Sequence, residues 1–171
     1  TSAARLTALG DDFLASLAAQ RVVFPPRRIR SVGAHCFALC SQLSEIDLGK
    51  SRVKVIGKGF AVLCGALTRV ALPATLERIE AACFERCAAL QSVDLSRTRL
   101  RQLGSRFALG CVALEEVRLP GTLEAIGDYF CLGCKMEAVD LSQLGNLRAV
   151  GLKQNSLRQL AGPRLLLPPH I

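Results

Sequence analysis

Hydrophobic residues along the chain follow a repeating pattern. Segments of the form apolar-x-x-apolar-x-apolar recur at Leu43 to Leu48, Leu67 to Leu72, Leu90 to Leu95, Leu114 to Leu119 and Met136 to Leu141. Weaker copies centre on Val22 and Leu165. The central residues, Val22, Ile46, Val70, Val93, Val117, Val139 and Leu165, follow one another at intervals of 22 to 26 residues. Self-similarity at such a period marks a stacked-repeat architecture. The apolar-x-apolar alternation predicts a strand at each centre, with the flanking residues pointing away from the core.

The flanks repeat as well. Ahead of each strand stands an apolar-x-x-apolar pair: Leu6/Leu9, Ile29/Val32, Val53/Ile56, Leu76/Ile79, Leu100/Leu103, Leu123/Ile126 and Leu147/Val150. A Phe and then a Cys follow in five of the units: Phe37/Cys40, Phe60/Cys64, Phe84/Cys87, Phe107/Cys111 and Phe130/Cys134. Their separation of three or four residues matches one helical face. The unit is therefore expected to run short strand, helical or 3-10 turn, longer strand. One unit cannot bury its own apolar face, but stacked units cover one another. A longer period overlies the short one, because Pro25, Pro73, Pro120 and Pro168 occupy every second repeat. Leu72-Pro-Ala-Thr-Leu-Glu77 recurs as Leu119-Pro-Gly-Thr-Leu-Glu124, and Val93-Asp-Leu-Ser96 as Val139-Asp-Leu-Ser142, which points to a duplicated two-repeat unit.

The string Leu76-Glu-Arg-Ile79-Glu-Ala-Ala-Cys-Phe84-Glu-Arg-Cys87-Ala-Ala-Leu90-Gln-Ser-Val93-Asp-Leu95 resembles the BspA-type leucine-rich repeat, L-x-x-I-x-x-x-A-F-x-x-C-x-x-L-x-x-V-x-L-P. The resemblance covers nearly the whole chain. It is strong in the five central repeats and weak from Gly145 to Leu167, where Phe and Cys are missing. It implies an α/β leucine-rich-repeat solenoid of about seven repeats, with a parallel sheet on its concave face. The family occurs in bacterial surface proteins and in proteins of single-celled eukaryotes. The resemblance therefore implies protein binding or adhesion, not catalysis, and it carries no ligand residues that transfer by motif.

Composition narrows the picture further. The 171 residues (18.3 kDa) suit one repeat domain spanning 1–171, and 50% hydrophobic content excludes a disordered chain. The sequence holds no run of the ~20 apolar residues that a membrane-spanning helix requires, so no membrane insertion is expected. It opens with Thr and at a repeat boundary, and is read as a piece of a longer repeat protein whose cut ends favour end-to-end association. A net charge of +8 favours an acidic partner. With aromatics at 5% and no Trp, stacking platforms for single-stranded nucleic acid are scarce; an RNA- or phosphate-binding module is the less favoured alternative.

Eight Cys raise the question of compartment. Five hold the inward position after Phe, where a free Cys acts as a small hydrophobe. That predicts reduced thiols and an intracellular placement, with a cell-surface adhesin as the alternative. Cys131 and Cys134 form a C-x-x-C, but His35 is the one central His and a zinc site needs four converging ligands. No metal, cofactor or small-molecule substrate is expected. Nor is catalysis: His35 and Cys36 are chain neighbours pointing apart, and Gly57-Lys58-Gly59 lacks the phosphate-loop pattern.

The outward strand positions are the candidate partner-binding residues: Arg21, Glu45, Asp47, Arg69, Asp94, Glu116, Arg118 and Asp140, expected on the concave face. Asp94, as an exposed residue, is expected to contribute little to stability. A third column, Thr7, Arg30, Lys54, Glu77, Arg101, Glu124 and Arg148, alternates in sign from Lys54 onward and reads as lateral self-pairing. Further basic residues, Arg52, Lys58, Arg97, Arg99 and Arg106, fall at turns and read first as a solvated rim and second as a site for acidic protein or phosphate. The function read from the sequence is a non-catalytic protein-protein interaction scaffold.

Overall fold

Each apolar-x-x-apolar pair ends in a two-residue strand, and seven such strands stack into one parallel sheet. The computed structural model describes residues 6–24, 26–136, 139–151, 165–166 and 168–170. The sheet runs β1 (Ala8–Leu9), β3 (Ser31–Val32), β5 (Val55–Ile56), β7 (Arg78–Ile79), β9 (Gln102–Leu103), β11 (Ala125–Ile126) and β13 (Ala149–Val150). Its register places Leu9, Val32, Ile56, Ile79, Leu103, Ile126 and Val150 side by side. These are the second members of the pairs seen in the sequence.

The longer strands alternate with them: β2 (Arg21–Val23), β4 (Glu45–Asp47), β6 (Arg69–Ala71), β8 (Ser92–Asp94), β10 (Glu116–Arg118), β12 (Val139–Asp140) and β14 (Leu165–Leu166). They pair in three parallel sections, with Val22, Ile46 and Val70 in one, Val93 and Val117 in the next, and Val139 and Leu165 in the last. Strands β6 and β8 lie beside each other where the first two sections meet. The chain is thus a parallel β-solenoid. Pro25, Ala138, Arg164 and positions 152–164 of the weak final stretch lie outside the described residues.

The expected helical or 3-10 turn is not found among the described residues, and the reason lies in the backbone. The segment carrying Phe and Cys is an arc whose alternate N–H groups point along the stacking axis. His35, Phe37 and Leu39 donate to the carbonyls of Lys58, Phe60 and Val62 at 2.7, 2.8 and 2.9 Å. Gly59, Ala61 and Leu63 donate in turn to Ala81, Cys83 and Glu85, and the pattern continues through Gly110. Isolated turn bonds form, such as Ala38 N–H to His35 at 3.0 Å, but a helix would need the other N–H groups too. Each arc also holds two residues with positive φ, four apart: His35 and Leu39 at 52° and 61°, Ala82 and Arg86 at 59° and 60°. Left-handed residues at that spacing interrupt any right-handed turn, and the ladder bonds hold them there.

Phe and Cys both point inward from this arc. Each central rung carries one Phe and a small residue at two adjacent positions, and the order alternates: Cys36-Phe37, Phe60-Ala61, Cys83-Phe84, Phe107-Ala108. Successive rings are therefore offset by one residue and meet edge-on. Phe37, Phe60, Phe84 and Phe107 have neighbouring centroids 5.1, 6.1 and 5.4 Å apart at interplanar angles of 80° or 81°. Phe130 breaks the alternation by taking the same position as Phe107, and those two rings stack at 12°. All four Phe from 37 to 107 are fully buried.

The Cys column has a task beyond filling space. Ladder bonds from the preceding rung use every second arc carbonyl, and those between accept a thiol from the following rung. Cys40, Cys64, Cys87, Cys111 and Cys134 donate their thiols to the carbonyls of Leu14, Phe37, Ala61, Phe84 and Ala108 at 2.9 to 3.1 Å. A buried carbonyl without a donor is costly. At Phe37 the Cys64 thiol supplies the one donor among the described bonds, whereas at Leu14, Ala61, Phe84 and Ala108 the thiol adds to a turn N–H at 3.2 to 3.4 Å.

Two outcomes follow for urea unfolding. Phe84→Ala is expected to destabilise by ~3–5 kcal/mol, as for a packed core aromatic; a change within error would refute the Phe column. Cys64→Ala should lose about 1–3 kcal/mol, since the Phe37 carbonyl is orphaned, and Cys64→Ser should lose less. Equal losses would mean the thiol acts through bulk alone.

Candidate interaction surface

The longer strands alternate inward and outward, so their first and last residues form two exterior columns. Register brings Arg21, Glu45 and Arg69 side by side across β2, β4 and β6, with Asp47 on the same exterior between Val23 and Ala71. Farther along, Ser92 lies beside Glu116 and Asp94 beside Arg118. Asp140 lies beside Leu166 on the last pair. Seven of the eight residues picked from the sequence thus fall in the two sections β2-β4-β6 and β8-β10, and Asp140 stands on the third.

Their partners separate them chemically. Arg21 Nε meets Glu45 Oε2 at 3.1 Å across rungs. Arg118 Nε meets Glu116 Oε1 at 2.7 Å along one strand, which raises the Arg118 pKa above its ordinary value. Arg69 is exposed and belongs to no ion pair among the described residues. The three Asp residues close turns. Asp47 accepts from the Gly49 N–H, Asp94 from the N–H and hydroxyl of Ser96, and Asp140 from the Ser142 N–H, at 2.6 to 2.9 Å. These bonds from Ser96 and Ser142 hold the Asp94 and Asp140 carboxyls below the usual range. Asp94 is exposed, as expected, yet it has structural work. The signal was present in the sequence as Asp-x-Gly or Asp-x-Ser, an Asx-turn pattern.

The third column behaves as lateral self-pairing. Lys54 Nζ meets Glu77 Oε1 at 2.9 Å, and Arg101 meets Glu124 at 3.7 Å, each bridging adjacent rungs. The Lys54 ammonium holds the Glu77 carboxyl below its ordinary pKa. Of the rim residues, Arg106 lies over the Tyr129 ring of the next rung, 5.9 Å from its centroid. Sequence reasoning missed the exposed Leu39 and Leu63, which occupy neighbouring left-handed arc positions. Nothing in their local sequence distinguishes them from core leucines.

Most of the thiols are poorly placed for reaction; Cys111, which the hydrogen bond with Cys87 holds below the ordinary range, is shielded by burial. Burial pushes Cys36 and Cys64 up to about 12 and Cys83 and Cys131 well above the ordinary range. Contact with the Cys111 thiol, then burial, raises Cys87. All eight Cys are free thiols, and seven are buried, Cys134 being half-buried. His35 covers Gly59 of the following rung, where a Cβ would run into the imidazole; Gly59 also has a positive φ of 62°. Among the described residues no three His, Cys, Asp or Glu side chains are grouped to hold a metal. No helix there is long and apolar enough to cross a membrane.

The stacked rungs agree with the comparisons. A family model described as the BspA type leucine rich repeat region matches in six copies across residues 7–138. The chain belongs to the BspA-type leucine-rich repeat family. Solved structures share this leucine-rich-repeat fold. A leucine rich cell surface protein from Faecalibacterium prausnitzii is 20% identical, with a TM-score of 0.75, over 85% of this chain and 38% of its own. A leucine-rich repeat protein from Bacteroides ovatus is 21% identical, with a TM-score of 0.65, over 86% of this chain and 46% of its own. The leucine rich repeat protein of T. pallidum is 19% identical, with a TM-score of 0.52, over 94% of this chain and 91% of its own. The chain thus spans less than half the length of the first two. No curated protein matches it. The intracellular placement expected from the Cys content finds no support in these neighbours, one of which is described as a cell surface protein.

The turn-closing role gives Asp94 a pH signature. Its folded pKa is lowered, so its contribution is complete above the unfolded value of ~3.9 and fades as pH falls through the folded value. Asp94→Ala should destabilise at neutral pH by about 0.5–1.5 kcal/mol, the net worth of such hydrogen bonds. The gap from the parent chain should shrink on acidification; a gap independent of pH would exclude the carboxylate as its origin.

Proposed function

We propose that this leucine-rich repeat domain is a non-catalytic protein-interaction module whose partner meets the outward face of the longer strands. The observation that supports this reading is the exterior of β4, β6, β8 and β10. It presents Glu45, Asp47, Arg69, Asp94, Glu116 and Arg118 at ladder spacing, on positions the core does not constrain. Open faces of repeat proteins serve partners in this way. Rigid strands fix each side chain in advance, which reduces the ordering lost on association.

A surface or secreted role is a second reading, favoured by the cell-surface description of a neighbour. The burial of seven of the eight thiols removes the chief ground for an intracellular placement, since shielded thiols with raised pKa values resist oxidation in either setting.

A photo-reactive side chain at Ser92 should cross-link the partner, and Arg69→Ala/Glu116→Ala/Arg118→Ala should weaken its binding by about tenfold or more. Full affinity in that triple variant, with folding intact, would overturn the strand face as the contact surface.

A further inference from the structure

Lateral charge pairing governs most of this surface, and at one corner it is reversed. In the third column Glu77 answers Lys54 and Glu124 answers Arg101. These Glu residues belong to the duplicated string Pro-x-Thr-Leu-Glu, whose Thr75 and Thr122 hydroxyls donate to the Val53 and Leu100 carbonyls, both at 2.8 Å. The rung that begins at Pro26 is the matching unit, since Ile29 is buried like Leu76 and Leu123. There the sequence reads Pro26-Arg27-Arg28-Ile29-Arg30. Arg28 stands where the copies have Thr, and Arg30 where they have Glu.

The next rung adds Lys50, Arg52 and Lys54 at neighbouring positions. The Arg27 N–H donates to the Lys50 carbonyl at 2.7 Å and the Arg52 N–H to the Ile29 carbonyl at 2.8 Å, so the two turns lie against each other. Arg28 is therefore level with Arg52, and Arg30 with Lys54. Like charges placed side by side in a ladder are destabilising. Arg27, Arg28, Arg30, Lys50 and Arg52 are all exposed, and none enters an ion pair among the described residues. Two concavities open here: about 600 Å³ between Arg27, Lys50, Arg52 and Thr75, and about 340 Å³ between Thr7, Arg27, Arg28 and Arg30. Neither the duplication nor the core accounts for this cluster.

We propose that this corner docks an acidic peptide segment of a partner protein. The inference rests on the interaction-module reading and adds a site and a partner chemistry to it. Carboxylates at alternate positions of an extended peptide are about 6.6–6.8 Å apart, a spacing that lets successive acids reach cations on both turns. Arg presents a fork that matches a carboxylate in two-point contact. The corner residues include no aromatic ring, so it lacks the stacking surface that single-stranded nucleic acid uses.

The test is fluorescence anisotropy of a labelled alternating Glu-Ser peptide with the whole chain at physiological salt. Arg27→Ala/Arg28→Ala/Arg30→Ala should weaken binding by about tenfold or more, while Arg97→Ala/Arg99→Ala/Arg101→Ala, which removes equal charge elsewhere, should leave it nearly unchanged. Arg28→Thr/Arg30→Glu, which restores the residues of the copies, should abolish binding and keep or raise the unfolding midpoint. Equal losses in both triple variants would reduce the effect to net charge and overturn the site, as would no binding by the parent chain. An RNA oligomer that displaces the peptide, and depends more strongly on the same Arg residues, would overturn the acidic peptide as occupant. These outcomes are separate from the strand-face test, because Arg69, Glu116 and Arg118 are untouched in every variant.

Discussion

Backbone hydrogen bonding along the stacking axis is the constraint on which the structure depends. Three ladders run in parallel, through the short strands, the longer strands and the arcs between them. Each obliges a residue to meet its counterpart one rung away. Register is therefore shared by the whole rung, and a slip in one ladder would misalign the other two. Sequence periodicity near two dozen residues is the trace of that obligation. The same demand explains the left-handed residues in the arcs. A helical turn would satisfy its own N–H groups and leave the neighbouring rung without donors.

Core composition answers to this backbone. An arc offers room for one ring and one small side chain, and the alternation of their order lets successive rings meet edge-on. Where the order fails to alternate, between Phe107 and Phe130, the rings stack instead. Cys completes the arrangement as a side chain that is both a spacer and a donor. At Cys64 a purely apolar residue of its size would fill the place and orphan the Phe37 carbonyl; Ser would supply the donor with a poorer apolar surface.

The exterior follows a simpler rule with informative exceptions. Adjacent rungs place side chains about 4.8 Å apart, close enough for charges to choose their neighbours. Arg21 with Glu45, Lys54 with Glu77 and Arg101 with Glu124 obey the rule. Surface pairs of this kind contribute little stability each. Arg69 on β6, which has no ion pair among the described residues, and the like-charged turns at Arg28 and Lys50 depart from it. The partner surfaces proposed above draw on those departures and not on net charge alone.

The sequence by itself determined the repeat, its register and its interior. Leu9 through Val150 align in the short-strand ladder as their spacing required, because a buried ladder tolerates no slip. It also made the lateral charge pairs legible, since counterparts one period apart become neighbours. It did not reveal the arc. Phe and Cys spaced three or four apart suit a helical face, and periodicity cannot distinguish that from a left-handed bend that sends its N–H groups to the next rung. The thiol donors, the turn-closing Asp94 and the exposed Leu39 and Leu63 likewise depend on which backbone groups remain free once rungs are stacked. That quantity belongs to the assembled backbone and not to any local string of residues, so tertiary structure alone decided it.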